Sequence, residues 1–310
     1  LILDISHIDY ELPEELIAQT PIEPRDSARL LVDSPNGLQH RQVSDIVEYL
    51  QPGDVVVVNH TRVLPARLKL KRRTGGAVEV LLLEERDADQ MQWEALVRPG
   101  GKLSVGEELL DGAGAVMLRI GGRSQAGDTF FVYFAAESQD EVMRRILEVG
   151  EIPLPPYITT ALADQDRYQT VFAHDQKSSA APTAGLHFTP ELLARIREAG
   201  VDIREVELVV GLDTFQPISV DNPLDHVIHT ESYRVPAETI DACTRARERG
   251  GRVIAIGTTA TRALESAATF GELQGRTNLF ITPGYDWKVV DMMLTNFHMP
   301  RTTLLLMVES

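Results

Sequence analysis

Residues 63–138 read as short strands parted by glycine turns, between two flanks in which helix and strand alternate. That change of texture limits the fold more than any other feature. Gly75-Gly76 follows an alternating segment, and Pro99-Gly100-Gly101 turns the chain after a strand at 93–98. Gly121-Gly122 follows another at 116–120, and residues 78–83 and 129–134 are apolar, aromatic or β-branched. Closely spaced strands with glycine turns close into small barrels. The flanks predict helices at 12–20, 43–50, 141–149, 190–196, 237–249 and 260–268. They predict strands at 28–32, 55–58, 201–210, 253–256, 279–282 and 303–308. The fold class expected is α/β: a discontinuous α/β domain, residues 1–62 and 151–310, with an inserted small β-barrel domain at 63–150.

Composition narrows the function. The chain is 43% hydrophobic and 25% charged, as a soluble globular protein is. No apolar run approaches ~20 residues and no basic-then-apolar leader is visible, and with a single cysteine a reducing cytoplasm is the compartment expected. Cys243 is the only cysteine, which excludes an intrachain disulfide and a cysteine-based zinc site. A net charge of −16 argues against coating nucleic acid without specificity. One local basic patch stands out: Arg67, Lys69, Lys71, Arg72 and Arg73, preceded by Arg62. Its alternation fits a strand with one charged face. A nucleic-acid contact and a solvated strand edge both explain it.

Five segments have the composition of a site. Residues 179–189 are small and end on His187, just before a helix with Thr189 as N-cap and Pro190 at its first position. Small residues such as Gly185 let a ligand approach the backbone, and a histidine exchanges protons near neutral pH. Asp225, His226, His229 and Glu231 lie within seven residues. If extended, Asp225, His229 and Glu231 share one face, where a carboxylate beside an imidazole suits base catalysis. Metal binding and a polar surface strand are competing readings of that segment. Asn296, Phe297, His298 and Arg301 offer amide, aromatic, imidazole and guanidinium groups together. Finally, a strand, Gly257, Thr258 and Thr259 lead into a helix whose first amides favour an anion. Asn59, Thr61 and Arg62 sit at the carboxyl end of a buried strand, the ligand edge of an α/β sheet. No phosphate-binding lysine loop, dinucleotide fingerprint or serine-hydrolase elbow is present.

Taken in order, the motifs resemble one family, the S-adenosylmethionine:tRNA ribosyltransferase-isomerases of queuosine biosynthesis. They include Asp9-Tyr-Glu-Leu-Pro13, Arg25-Asp-Ser-Ala-Arg-Leu30, Asn59 with Thr61-Arg62 and Pro65-Ala-Arg67. Further on come Pro153-Leu-Pro-Pro-Tyr157, Ala180-Ala-Pro-Thr-Ala-Gly-Leu-His-Phe188, Asp225-His226 with His229 and Glu231, Gly257-Thr-Thr259 with Arg262, Pro283-Gly-Tyr285 and Thr295-Asn-Phe-His298. The resemblance implies the interrupted α/β fold. It also implies S-adenosylmethionine as ribosyl donor and, as acceptor, a tRNA carrying aminomethyl-7-deazaguanine at the wobble position; a monomer without a metal is expected. Epoxyqueuosine-tRNA, adenine and methionine are the implied products. On that reading His187, Asp225 and His229 move protons. Asn59, Thr61, Arg62, Thr183, Gly185, Thr258, Thr259, Arg262, Asn296, His298 and Arg301 hold the substrate, and Arg67, Lys69, Lys71, Arg72 and Arg73 meet the tRNA. The sequence departs from the family at Val209, where the family has histidine, and at Asp213, where it has glycine. A non-catalytic paralogue that binds tRNA or a nucleoside is the alternative those two positions suggest.

Overall fold

The computed structural model describes residues 5–101, 103–124, 129–160, 162, 164–210, 218, 220, 222–226, 228 and 230–310. In chain order the strands and helices are β1 (Arg29–Val32), β2 (Gln39–Gln42), β3 (Val55–Asn59), β4 (Thr61–Val63), β5 (Arg67–Arg72), β6 (Ala77–Asp87), β7 (Gln92–Arg98), β8 (Glu108–Leu110), β9 (Val116–Arg123), β10 (Phe130–Phe134) and α1 (Gln139–Val149). There follow β11 (Asp175–Ser178), α2 (Pro190–Glu198), β12 (Asp202–Leu208), β13 (Glu231–Arg234), α3 (Ala237–Glu248), β14 (Val253–Ile256), α4 (Thr258–Phe270), β15 (Gln274–Thr277), β16 (Met292–Leu294) and α5 (Thr303–Val308).

The chain forms two compact units. One comprises Leu1–Arg62, Pro156–Asp175 and Ala181–Ser310; the other comprises Val63–Pro155 and Gln176–Ala180. The second unit is a closed antiparallel barrel in the order β10-β7-β6-β5-β8-β9. β5 shows how sequence sets its surface. Leu68 and Leu70 point into the barrel and are buried, while Lys69 and Lys71 alternate outward into solvent.

The first unit is built on a six-stranded sheet ordered β15-β13-β12-β3-β14-β16. β12, β3, β14 and β16 run parallel, and β13 joins antiparallel to both β12 and β15. β3 is central and buried along its whole length, which is why it reads as an unbroken valine run. Val56, Val58, Ile254 and Ile256 pack with Phe188, Leu192 and Ile196 of the α2 region. By strand alternation Val55, Val57, Val253 and Ala255 face the opposite way, and α3 and α4 pack on β3, β12 and β14.

Three elements differ from the sequence reading. Residues 12–20 hold one short 3-10 turn, Glu14–Leu16, not a helix of that length. Residues 279–282 are irregular, with the Leu279 amide donating to Thr277 Oγ1 at 3.0 Å in place of a ladder bond. The expected strand at 303–308 is helix α5, with Leu306 and Met307 buried. A five-residue apolar run, 304–308, has no usable period, and leucine and methionine are strong helix formers.

Candidate functional site

Three stretches of the first unit wall an open cavity. The turn Thr183–His187 contributes Thr183 and Ala184, the start of α4 contributes Gly257, Thr258 and Thr259, and the loop after β16 contributes Asn296, Phe297 and His298. Tyr10 and Tyr157 add aromatic surface. Asn296 Nδ2 donates to Thr183 Oγ1 at 2.9 Å, joining two motifs that lie 113 residues apart. Gly257 takes φ +91 at the N-cap of α4, a conformation that glycine adopts without penalty. The first amides of α4 are left without partners by the helix itself, and its dipole favours an anion there. Thr259 Oγ1 is buried with no hydrogen bond. Phe297 is 85% exposed at the cavity wall, an unusual position for a large aromatic side chain.

His298 is the imidazole of this cavity. Its Nε2 lies 3.1 Å from Thr295 Oγ1, and the Tyr10 hydroxyl donates to its backbone carbonyl. Burial pushes its pKa from 6.5 down to about 4, so the ring is neutral at physiological pH. The folded state therefore binds fewer protons than the unfolded chain between those two values. The associated stability is complete above about pH 6.5 and is lost as pH falls toward 4, by about 3 kcal/mol. Urea titrations should show the midpoint falling across that window in the wild type. The slope should be shallower in His298→Gln, and equal slopes would contradict the burial argument.

The remaining expected site residues divide. His187 does not line the cavity. Its Nδ1 lies 3.2 Å from the Ala184 carbonyl, and burial, with Arg25 nearby, lowers its pKa. Gly185 serves packing: a Cβ there would come within 2.6 Å of Phe172 Cζ and 3.0 Å of Thr170 Cγ2. Asn59 is fully buried and spends its amide on the backbone. Nδ2 donates to the Leu208 carbonyl at 3.0 Å, and Oδ1 accepts from the Thr61 and Leu208 amides at 3.2 and 3.3 Å. Thr61 is buried beside it, so neither side chain is open to a ligand. Arg62 pairs with Asp166 at 3.1 Å.

Arg262 is likewise not available to hold a substrate carboxylate. Its guanidinium is buried in an ion pair with Glu231 and also donates to the Leu279 and Thr277 carbonyls at 3.2 and 3.3 Å. Arg301 has φ +59, and its backbone bonds Ile8 and Ile218. Its side chain is not part of the cavity wall. Asp225 lies exposed in the 3-10 turn Pro223–Asp225, not on an extended face shared with Glu231. His229 and Asp213 lie outside the described residues. Val209 is buried, its amide donating to the Ser232 carbonyl at 2.9 Å.

On the barrel, three of the five basic side chains have carboxylate partners. Lys69 pairs with Glu151 at 2.7 Å, Arg72 with Glu107 at 2.5 Å and Arg73 with Glu108 at 2.5 Å. Lys71 is exposed and has no ion pair among the described residues.

Comparison with known proteins places this geometry. The family described as queuosine biosynthesis protein matches residues 5–310. The chain belongs to that family. An S-adenosylmethionine:tRNA ribosyltransferase-isomerase of Moorella thermoacetica is 47% identical over 99% of this chain and 90% of its own length. One from Staphylococcus aureus is 46% identical over 99% and 91%. The crystal structure of a Thermotoga maritima S-adenosylmethionine tRNA ribosyltransferase superposes with a TM-score of 0.50. It is 38% identical and covers 97% of this chain and 88% of its own. The α/β fold with a closed barrel is therefore the architecture of a queuosine biosynthesis enzyme. The motifs whose side chains reach the cavity are the Thr183, Thr258–Thr259 and Asn296–His298 groups. The sequence did not mark Tyr10 or Tyr157 as site residues, although both sit in motifs that carry the family resemblance.

Proposed function

We infer that this chain transfers and isomerises the ribosyl group of S-adenosylmethionine onto the aminomethyl-7-deazaguanine of a tRNA, releasing adenine and methionine. The observation that carries this reading is the convergence of the Thr183, Thr258–Thr259 and Asn296–His298 groups on one cavity with an open helix N-terminus. The methionine carboxylate sits at the first amides of α4, where Thr259 Oγ1 supplies a further donor. Thr183 and Asn296 hold ribose hydroxyls, and Phe297, Tyr10 and Tyr157 offer faces on which adenine or deazaguanine stacks.

The sulfonium makes the adjacent ribose carbon acidic, and a base removes its proton. Adenine leaves as the ribose opens, the amine adds, and closure of the epoxide expels methionine. The sulfonium carries the positive charge that a metal would otherwise supply, so the chemistry is assigned no metal. His298 is neutral beside that cation and therefore does not repel it. With Thr295 donating to Nε2, its Nδ1–H donates to the departing adenine, as neutral imidazoles do when burial lowers their pKa. The base is assigned to His229, with Asp225 beside it in sequence, on the polar pattern of that segment. The enzyme is taken to act as a cytoplasmic monomer. No helix among the described residues is long and apolar enough to cross a membrane.

The decisive assay incubates the protein with S-adenosylmethionine and tRNA bearing the aminomethyl base. Mass spectrometry then looks for epoxyqueuosine, and the supernatant is checked for adenine. Both together support the reading. Neither, with tRNA still bound, favours the non-catalytic alternative.

The outward face of β5 is assigned to the tRNA backbone. Acidic neighbours hold Lys69, Arg72 and Arg73, so the charge without an ion pair among the described residues is on Arg67 and Lys71, of which Lys71 is the exposed one. Lys71→Ala should reduce the slope of log affinity against log salt by about 1 and leave turnover of saturating tRNA unchanged. An unaltered slope would remove β5 from the interface.

A further inference from the structure

His60 is 8% exposed, and neither of its ring nitrogens makes a hydrogen bond. It follows β3 directly, and its amide donates to the Val206 carbonyl at 3.0 Å. That places the ring beside Glu205 and Glu207, which share one face of β12. Three carboxylates surround it. Nε2 lies 3.4 Å from Asp175 Oδ2 and 3.8 Å from Glu207 Oε2, and Nδ1 lies 3.6 Å from Glu205 Oε2. His174 stacks on His60 with ring centroids 4.2 Å apart. Its own nitrogens reach Glu205 at 3.0 Å and Asp175 at 3.2 Å, an ordinary ion-paired arrangement. None of these residues lines the cavity assigned to S-adenosylmethionine.

The His60 distances are the informative ones. A protonated imidazole bonding these carboxylates would draw them to about 2.7–3.2 Å. Ligands at 2.0–2.2 Å around a tetrahedral ion stand about 3.3–3.6 Å apart from one another; Asp175 lies at 3.4 Å from Nε2, within that range, and Glu207 at 3.8 Å, a shift of about 0.2 Å away from it. A buried imidazole without a partner, facing several carboxylates, is a costly arrangement unless a cation joins them. Imidazole nitrogen with carboxylate oxygen is the donor set of zinc and its neighbours, with no thiolate required.

We propose that His60 Nε2, Asp175 and Glu207 bind a divalent transition-metal ion of the zinc class, with water in the fourth position. Glu205, facing Nδ1, orients the His60 ring from outside the coordination shell. The ion ties the end of β3 to β12 and to the start of β11. It is structural and takes no part in ribosyl transfer.

The test titrates full-length protein, first stripped with chelator, with Co2+ and Zn2+. Wild type should bind one equivalent, give the visible ligand-field bands of four-coordinate Co2+, and unfold at higher temperature with Zn2+. Glu207→Gln and Asp175→Asn should abolish the bands, and Glu205→Gln should weaken binding about 10- to 100-fold. X-ray absorption of the zinc-loaded wild type does not depend on any variant folding. It should show a nitrogen and oxygen shell with a single imidazole. Absence of stoichiometric binding, two or more imidazoles, or bands that persist in Glu207→Gln would each overturn the proposal.

Discussion

Replacing His298 with glutamine should lower kcat for adenine release about 10²- to 10³-fold while changing the KM for S-adenosylmethionine little. The size follows from the role. A preorganised donor aimed at charge that develops only as the bond breaks is worth that much, because it acts in the transition state and not in the ground state. The imidazole qualifies on two counts. It lines the cavity, and burial holds it neutral with a pKa near 4. A neutral ring can sit beside a sulfonium, whereas an imidazolium would oppose substrate binding. The variant's amide retains a donor without reproducing the position of Nδ1, so partial activity is expected. Single-turnover release of adenine, measured separately from methionine, isolates the step. Wild-type release by His298→Gln would remove the residue from the chemistry and leave it a wall of the cavity.

The second large effect is on stability. Glu265 is fully buried in α4, and its carboxylate organises the segment that leads to β16. It accepts from the Tyr285 hydroxyl at 3.0 Å and from the amides of Lys288, Val289 and Val290 at 3.0, 2.9 and 2.9 Å. Glu265→Ala strands three backbone donors at once, while the Tyr285 hydroxyl keeps Thr269 Oγ1 at 3.0 Å. Unsatisfied buried donors cost about 1–3 kcal/mol each and do not add fully, so a loss on the order of 4 kcal/mol is expected. Glu265→Gln should cost less, because one amide oxygen still accepts. Urea unfolding followed by circular dichroism measures both. A loss below about 1 kcal/mol in Glu265→Ala would show that the segment finds other partners.

These two residues show what the sequence made legible. His298 stood in a cluster of polar and aromatic groups, and composition alone marked that cluster as a site. Pro283-Gly-Tyr285 was visible only as a family motif, and Glu265 did not stand out in its helix. Their meaning, a carboxylate holding a distant loop, depends on contacts 20 to 25 residues away. Arg262 was misread for the same reason. A guanidinium looks free in a sequence until Glu231, 31 residues off, is placed against it. Asn59 sits at the end of β3 as expected, yet the backbone of Leu208 at the end of β12 consumes its hydrogen bonds. The barrel and the central valine strand were readable because period-two alternation and complete burial leave direct marks on composition. The His60 cluster left none, because its members come from the residue after β3, the start of β11 and β12 in no recognisable spacing.

The proposed reaction takes place in the cavity walled by Thr183, the start of α4 and the loop around Asn296. Hydrogen–deuterium exchange with and without S-adenosylmethionine tests that location most directly. Bound substrate should slow exchange in peptides spanning 181–187, 257–262 and 294–302, and leave the barrel strands unchanged. Protection elsewhere with these three peptides unaffected would place the ribosyl donor in another part of the molecule and contradict the account.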